Sequence, residues 1–259
     1  MIQWIPSWST EGLRSWNVLA ATLHLAQAIA LFVLAGLNTR TLSVFNTVMT
    51  GRPGSNTTLY EHHELLIQPI FVGASFATMS ALAHLFIASN MSSIIASRRN
   101  PWRWAEYSIS ASTVLISICV FSGVSDVYAI LNACGCTVAM ILFGDMSDRY
   151  VGLLRKQQKE PNPMEWYRAF VYGCIVGIIP WAAIFASFFQ SIAASPTQVP
   201  WFVYSIVFTL FFQFMCFGVV HLLQLMGWLS FEQAEWTYVL LSLMSKSSLS
   251  WQSVPALLL

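Results

Sequence analysis

One lysine in this chain sits where a lysine is expensive. Lys246 lies near the middle of the largely apolar run from Glu232 to Leu259, flanked by Ser245 and Ser247. That run suits a membrane-spanning helix, which needs about 20 residues to cross a hydrocarbon core of roughly 30 Å. A cation at the centre of such a helix costs roughly 2.5–3.5 kcal/mol on insertion scales. Two chemistries would justify the cost. Lys246 pairs with a carboxylate and only holds helices together, or its amine, walled by apolar groups, serves as a nucleophile toward an aldehyde. In the second case Ser242, one turn earlier, is positioned to hydrogen-bond the product.

The acid that best answers Lys246 is Glu106. Asn100 reads as an N-cap and Pro101 as the first helical residue ahead of it. Without Lys246, an interfacial carboxylate helped by the helix dipole would describe Glu106 equally well. At a 1.5 Å rise per residue, Glu106 lies about 8 Å into its helix and Lys246 about 21 Å beyond Glu232. The two meet only if the helix of Glu106 starts deeper. The other ionisable groups in or near apolar runs are His24, His84, Asp145 and His221. A lone intramembrane histidine is more often a hydrogen-bonded packing residue than a functional one. Here, however, His24 and Gln27 are three apart and Ser80 and His84 four apart, so each pair lines one helix face. Together they predict a small hydrated pocket. Trp181, Phe185, Phe208, Phe211 and Phe212 would wall an elongated polyene, although each taken singly reads more readily as packing.

The elements that must position these groups follow from composition. The 259 residues are 56% hydrophobic and 9% charged, with mean hydropathy +0.63, far from the roughly 25% charge of a soluble domain. The chain reads as an integral, multi-pass membrane protein. Its net charge of +1 offers no field for nucleic acid. The opening MIQWIPSWSTEGLRSW lacks the apolar core and small-residue cleavage site of a secretory signal, so the first span itself directs insertion. All five cysteines fall in apolar runs as small hydrophobes, and neither disulfides nor a metal site are expected.

Apolar runs of spanning length fall at about 16–37, 65–92, 101–123, 126–146, 165–190, 200–228 and 232–257. They predict an all-α membrane protein, a seven-transmembrane-helix bundle forming a single domain over 1–259. Two connections are long, Asn38 to Glu64 and Asp148 to Met164. Nine of the 12 Lys and Arg residues fall at the N-terminus and in the second, fourth and sixth connections. Positive charge gathers on the inner side, which puts the N-terminus in the cytoplasm and the C-terminus outside. The first connection is then extracellular, and with it the chance-prone glycosylation triplet Asn56-Thr57-Thr58. In the same connection, Tyr60-Glu61-His62-His63-Glu64 reads as a polar loop or helix start rather than a metal site.

Seven spans with one lysine amid the last resemble a retinal-binding rhodopsin. Asn100-Pro101-Trp102-Arg103-Trp104-Ala105-Glu106-Tyr107-Ser108, with Ser242-Leu243-Met244-Ser245-Lys246, resembles the heliorhodopsins specifically, as does the inverted topology. The resemblance covers the whole chain. It implies all-trans retinal on Lys246 as a protonated Schiff base, Glu106 as counterion and Ser242 nearby, with Trp181, Phe211 and Phe212 toward the polyene. It further implies a Schiff-base cavity of His24, Gln27, Ser80 and His84, and a homodimer through roughly 38–64. Asp148-Arg149-Tyr150 spells a receptor motif of another class, but it follows the wrong helix and reads as coincidence.

The function so implied is a light sensor, not an enzyme, in the plasma membrane, reporting to a cytoplasmic partner through the basic segment Asp148 to Arg168. In familiar outward proton pumps a second carboxylate follows the counterion by eleven residues. Here that position is Ser117, so efficient pumping is not expected. A light-gated proton or ion channel, or a transporter of the same fold, is the alternative, with Ser117, Gln190 and Gln213 as its thin polar material.

Overall fold

The computed structural model describes residues 8–38, 40–49, 60–157, 159 and 162–257. Its elements are α1 (Thr10–Leu37), β1 (Leu42–Met49), β2 (Tyr60–Ile67), α2 (Pro69–Ser89), the short α3 (Met91–Ser97), α4 (Pro101–Phe121), α5 (Val127–Lys156), α6 (Pro163–Ala194), α7 (Trp201–Leu225) and α8 (Phe231–Ser253), closed by a 3₁₀ turn, Val254–Leu257. The long helices form a ring in which α1 packs on α2 and α8, α2 on α4, α4 on α5, α5 on α6, α6 on α7 and α7 on α8.

The helices start where the sequence offers caps. Ser9 accepts from Gly12 N, Asn100 from Arg103 N, Asp126 from Ala129 N, and Asn162 from Met164 N, while Ser230 and Gln233 close a reciprocal capping box. Pro69, Pro101 and Pro163 occupy first helical positions, where the missing N–H costs nothing. Large apolar side chains such as Leu37, Trp201 and Phe212 are exposed around the outside. In a protein of this composition, that surface faces lipid.

Six helices among the described residues, α1, α2, α4, α5, α6 and α7, are long and apolar enough to cross a membrane. α8 has the length but not the average hydropathy, and its polar residues are turned inward: Glu235, Ser242, Ser245, Lys246, Ser250 and Ser253 are all buried. Several boundaries differ from the sequence reading. α1 begins six residues before the predicted 16, and α5 runs ten beyond the predicted 146.

The larger correction concerns the first connection. Leu65-Leu66-Ile67 is apolar and reads as the start of a span, yet Gln68 is extended ahead of Pro69, and the run closes strand β2 instead. β1 and β2 form an antiparallel hairpin with Val44 opposite Leu65 and Thr47 opposite His62. The bundle itself is helical, its first connection carries this hairpin, and His62-His63 belong to a strand rather than a loop or helix start. The hairpin docks through Phe45 N, which donates to Ser125 O at 2.7 Å, and through the buried Val44. The triplet Asn56-Thr57-Thr58 and Arg52 lie outside the described residues.

The interior is divided lengthwise. Toward the hairpin end it is apolar, built on Phe76, Leu115, Ile118, Phe188, Ile206 and Leu210. Toward the opposite end it is polar, with Asn17, His84, Asn100, Arg103, Asp148 and Glu235 buried together.

Candidate functional site

α8 carries Lys246 into the middle of the bundle, at 4% exposure. Its Nζ donates to Glu106 Oε1 at 2.6 Å and to Ser242 Oγ at 3.0 Å. Ser80 Oγ donates to the same Glu106 oxygen at 2.8 Å. The Nζ also stands 5.4 Å from the Tyr107 ring centroid, within reach of the ring's negative face. A buried ammonium here has a carboxylate, a hydroxyl and an aromatic face around it.

The depth mismatch between Glu106 and Lys246 is resolved at the start of α4. Asn100 is 1% exposed, and its Nδ2 donates to Glu235 Oε2 at 2.7 Å. α4 therefore begins level with Glu235, not with the first residue of α8. Six residues separate Asn100 from Glu106 and eleven separate Glu235 from Lys246. The remaining offset is about 7.5 Å along the axis. The long lysine stem covers it by leaning toward its helix N-terminus, as helical side chains do.

His24, Gln27, Ser80 and His84 take pairings other than those the spacing gives. The rings of His24 and His84 stack at 5.6 Å, and His84 Nδ1 is 2.8 Å from Asn17 Oδ1. Ser80 serves Glu106, and Gln27 Nε2 reaches Ser247 Oγ at 2.6 Å. Asn17 and Ser247 join the group without having been singled out in the sequence.

Beside the amine opens a cavity of about 280 Å³, lined by residues of α4, α5, α6, α7 and α8. Lys246 and Ser245 form one wall, and Trp104, Phe214, Phe217 and Tyr238 supply aromatic surface. Glycines make the room: a β-carbon at Gly144 would lie 2.6 Å from the Trp104 ring. An apolar space with one amine in its wall, that amine paired with Glu106 outside the lining, fits an elongated apolar aldehyde. The aromatic residues read from the sequence are placed differently. Trp181 is buried, but it packs on Phe211 and Phe214 behind the cavity wall. Phe212 is 65% exposed on the outside of the bundle. None of Trp181, Phe211 and Phe212 lines the cavity, nor does Ser242, which contacts the amine from its own helix. Phe212 follows Phe211 directly, and adjacent helical residues point in different directions.

A second charged centre escaped the sequence reading. Arg103, one turn before Glu106, forms an ion pair with Glu235 through Nη1 and lies 3.6 Å from Asp148 Oδ2. All three side chains are within 7% of full burial. Asp148 also accepts from Trp104 Nε1 at 3.1 Å and Gln224 Nε2 at 3.0 Å. The Arg103 guanidinium stacks 4.1 Å over the Tyr238 ring. The available signal was spacing: Glu235, Ser242 and Lys246 fall seven and four residues apart, on one face of α8. The triplet Asp148-Arg149-Tyr150 is thus half structural, with Asp148 inside and Arg149 exposed. Asp145 pairs with Arg99 at 3.3 Å near the surface, and His221 Nε2 is 2.8 Å from Ser147 Oγ at the cavity edge.

Known proteins resemble this chain in family and in fold. The family described as Heliorhodopsin matches residues 13–258. Among solved structures, the transmembrane domain of the Salpingoeca rosetta rhodopsin phosphodiesterase superposes with a TM-score of 0.65 at 14% identity, over 96% of this chain and 85% of that one. The light-driven proton pump rhodopsin of Coccomyxa subellipsoidea gives 0.66 at 15% identity, over 93% and 95%. The thermophilic rhodopsin of Rubrobacter xylanophilus gives 0.55 at 16%, over 92% and 97%. At such identities these likenesses speak for the fold alone. A comparison with curated proteins returned no match.

Removing one member of a buried ion pair strands its partner at a cost of about 3–5 kcal/mol. Arg103→Ala leaves two facing carboxylates, so its thermal midpoint in detergent should fall sharply, whereas Arg149→Ala, on the exposed face, should leave the midpoint within a degree or two.

Proposed function

The chain belongs to the heliorhodopsin family, and on that premise we propose that it is a light-sensing photoreceptor whose retinal is all-trans and joined to Lys246 as an imine, with Glu106 as counter-anion. The observation that carries this reading is the Lys246 amine in the wall of an apolar cavity with a carboxylate at 2.6 Å. The ammonium of Lys246 stands in these contacts for the imine nitrogen. Retinal bound there supplies absorption of visible light and a light-driven change of shape.

The rest is done by the chain. Glu106 places an anion 2.6 Å from the Lys246 nitrogen, where it attracts a positive charge on that atom. Ser80 and Ser242 hold the pair in register, one donating to Glu106 and the other accepting from Nζ. His24, Gln27 and His84 form the polar side of the pocket. Trp104, Phe214 and Phe217 exclude water from the opposite side.

The same reading makes α8 the seventh span, with the N-terminus cytoplasmic and the C-terminus outside, in a plasma membrane. The hairpin, with Leu65 and Leu66 exposed, is the proposed homodimer contact. The exposed Arg149, Arg155, Lys156, Lys159 and Arg168 are the proposed cytoplasmic docking face for a signalling partner. Glu106 is the single acid of α4, so no second carboxylate on that helix is available to carry a proton onward, and we read the chain as a sensor and not a pump.

All-trans retinal added to the purified apoprotein should produce a visible absorption band. Lys246→Ala should abolish it, and Glu106→Gln should shift it strongly to the red, because removing the anion lets the positive charge spread. A band that survives Lys246→Ala sinks the attachment, and one unmoved in Glu106→Gln sinks the counterion. Illuminated cells expressing the protein should show no retinal-dependent, uncoupler-sensitive change in external pH; a robust change would make it a pump.

A further inference from the structure

Between the Lys246–Glu106 pair and the Arg103 cluster lies a second, small cavity of about 10 Å³. Asn17, His84, Asn100, Arg103, Glu106 and Glu235 all line it. Roughly 10–15 Å³ is the room one water needs, and a buried water requires two to four polar partners. The walls provide them. His84 Nε2 and Arg103 Nε are buried and bond to no protein group, while Glu106 and Glu235 bring carboxylates to the same space. A guanidinium N–H, an imidazole nitrogen that accepts while Nδ1 donates to Asn17 Oδ1, and two acid side chains around a water-sized space form a relay between acids on different helices.

Charge shows which end of the relay has room for a proton. Lys246 and Glu106 cancel, but Arg103 is shared by Glu235 and Asp148, so with the histidines neutral the buried polar end carries one anion too many. A proton delivered from Lys246 leaves that sum unchanged and moves the unpaired anion from the Arg103 cluster to Glu106, where Ser80 donates to it. The other titratable groups facing this site are His84, Glu106, Tyr107 and Tyr238. Of the two carboxylates on Arg103, Asp148 does not line the cavity and has two further donors, Trp104 and Gln224. Glu235 does line it and has one, Asn100. Glu235 is the better placed to become neutral.

We propose that Glu235 is an internal proton acceptor: a proton leaving the Lys246 nitrogen passes to Glu106 and, through a water held in the small cavity, on to Glu235. One N–H bond breaks at Lys246 and one O–H bond forms at Glu235. Glu106 and the water each gain and lose a proton, and no electrons change hands. Arg103 stays paired with Asp148. The proton remains inside the bundle, which agrees with a sensor that exports nothing. Neutralising Glu235 also weakens the two contacts that set the start of α4, those to Asn100 and Arg103, and so carries the event toward the basic face. The proposal rests on the retinal reading above.

Light-minus-dark infrared difference spectroscopy on the retinal-loaded full chain, with the dark visible band recorded on each sample, tests it. Illumination should produce a carboxylic-acid C=O band that moves down in heavy water. The band should be lost in Glu235→Gln, shifted in Glu235→Asp and kept in Asp148→Asn. A dark visible band in each variant shows that it is folded and loaded; should Glu235→Gln not fold, Glu235→Asp decides, and an unmoved band there overturns the proposal. A band that persists in Glu235→Gln, or is missing from the wild type while its dark visible band is present, overturns it and leaves the retinal reading standing. Absence of any dark visible band from the wild type overturns both.

Discussion

A buried ammonium must have an anion against it, and the architecture of this bundle follows from where that anion can be placed. Lys246 is eleven residues beyond Glu235 on α8, deep in the protein. Glu106 reaches it only because α4 starts below the surface, and α4 can start there only because its first turn is satisfied by Asn100 and by the contacts of Asn100 and Arg103 to Glu235. Each charge is thus made tolerable by the next. The series runs from the interior to the N-terminal end, and the polar half of the molecule is this series with its hydrogen-bonding neighbours.

The other half is what an apolar solvent demands. The hairpin end is closed by large hydrophobic side chains, and the hairpin seals it through Val44 and a backbone bond to the α4–α5 connection. Where the halves meet, glycines on α5, α6 and α7 leave the cavity beside Lys246. An amine nitrogen, a carboxylate and an apolar slot are therefore brought together at one level by helix packing alone. That geometry, in a chain of the heliorhodopsin family, is what makes light detection the natural reading.

How much of this was legible in the sequence depended on whether the signal was local. Lys246 and Glu106 stand out because a single charge in an apolar run is conspicuous, and Asn100-Pro101 announces a helix start by short-range capping chemistry. Asp148 and Glu235 were missed because each lies near the end of a run beside exposed charge, where acids are usually solvated; only the fold turns them inward. Leu65-Leu66-Ile67 misled because three apolar residues before a proline look alike in a strand and a helix. The aromatic residues lie outside the cavity lining for a related reason: α6 and α7 are apolar all round, so composition does not say which face of Phe211-Phe212 meets the interior.

The central claim is that the one lysine of α8 is a point of covalent attachment and not a structural cation. Retinal-loaded protein reduced with borohydride, then digested and analysed by mass spectrometry, tests it most directly. The added mass of a reduced retinal is expected on the peptide containing Lys246, with Lys156 and Lys159 unmodified. An unmodified Lys246 peptide, or the mass found on another lysine, would contradict it.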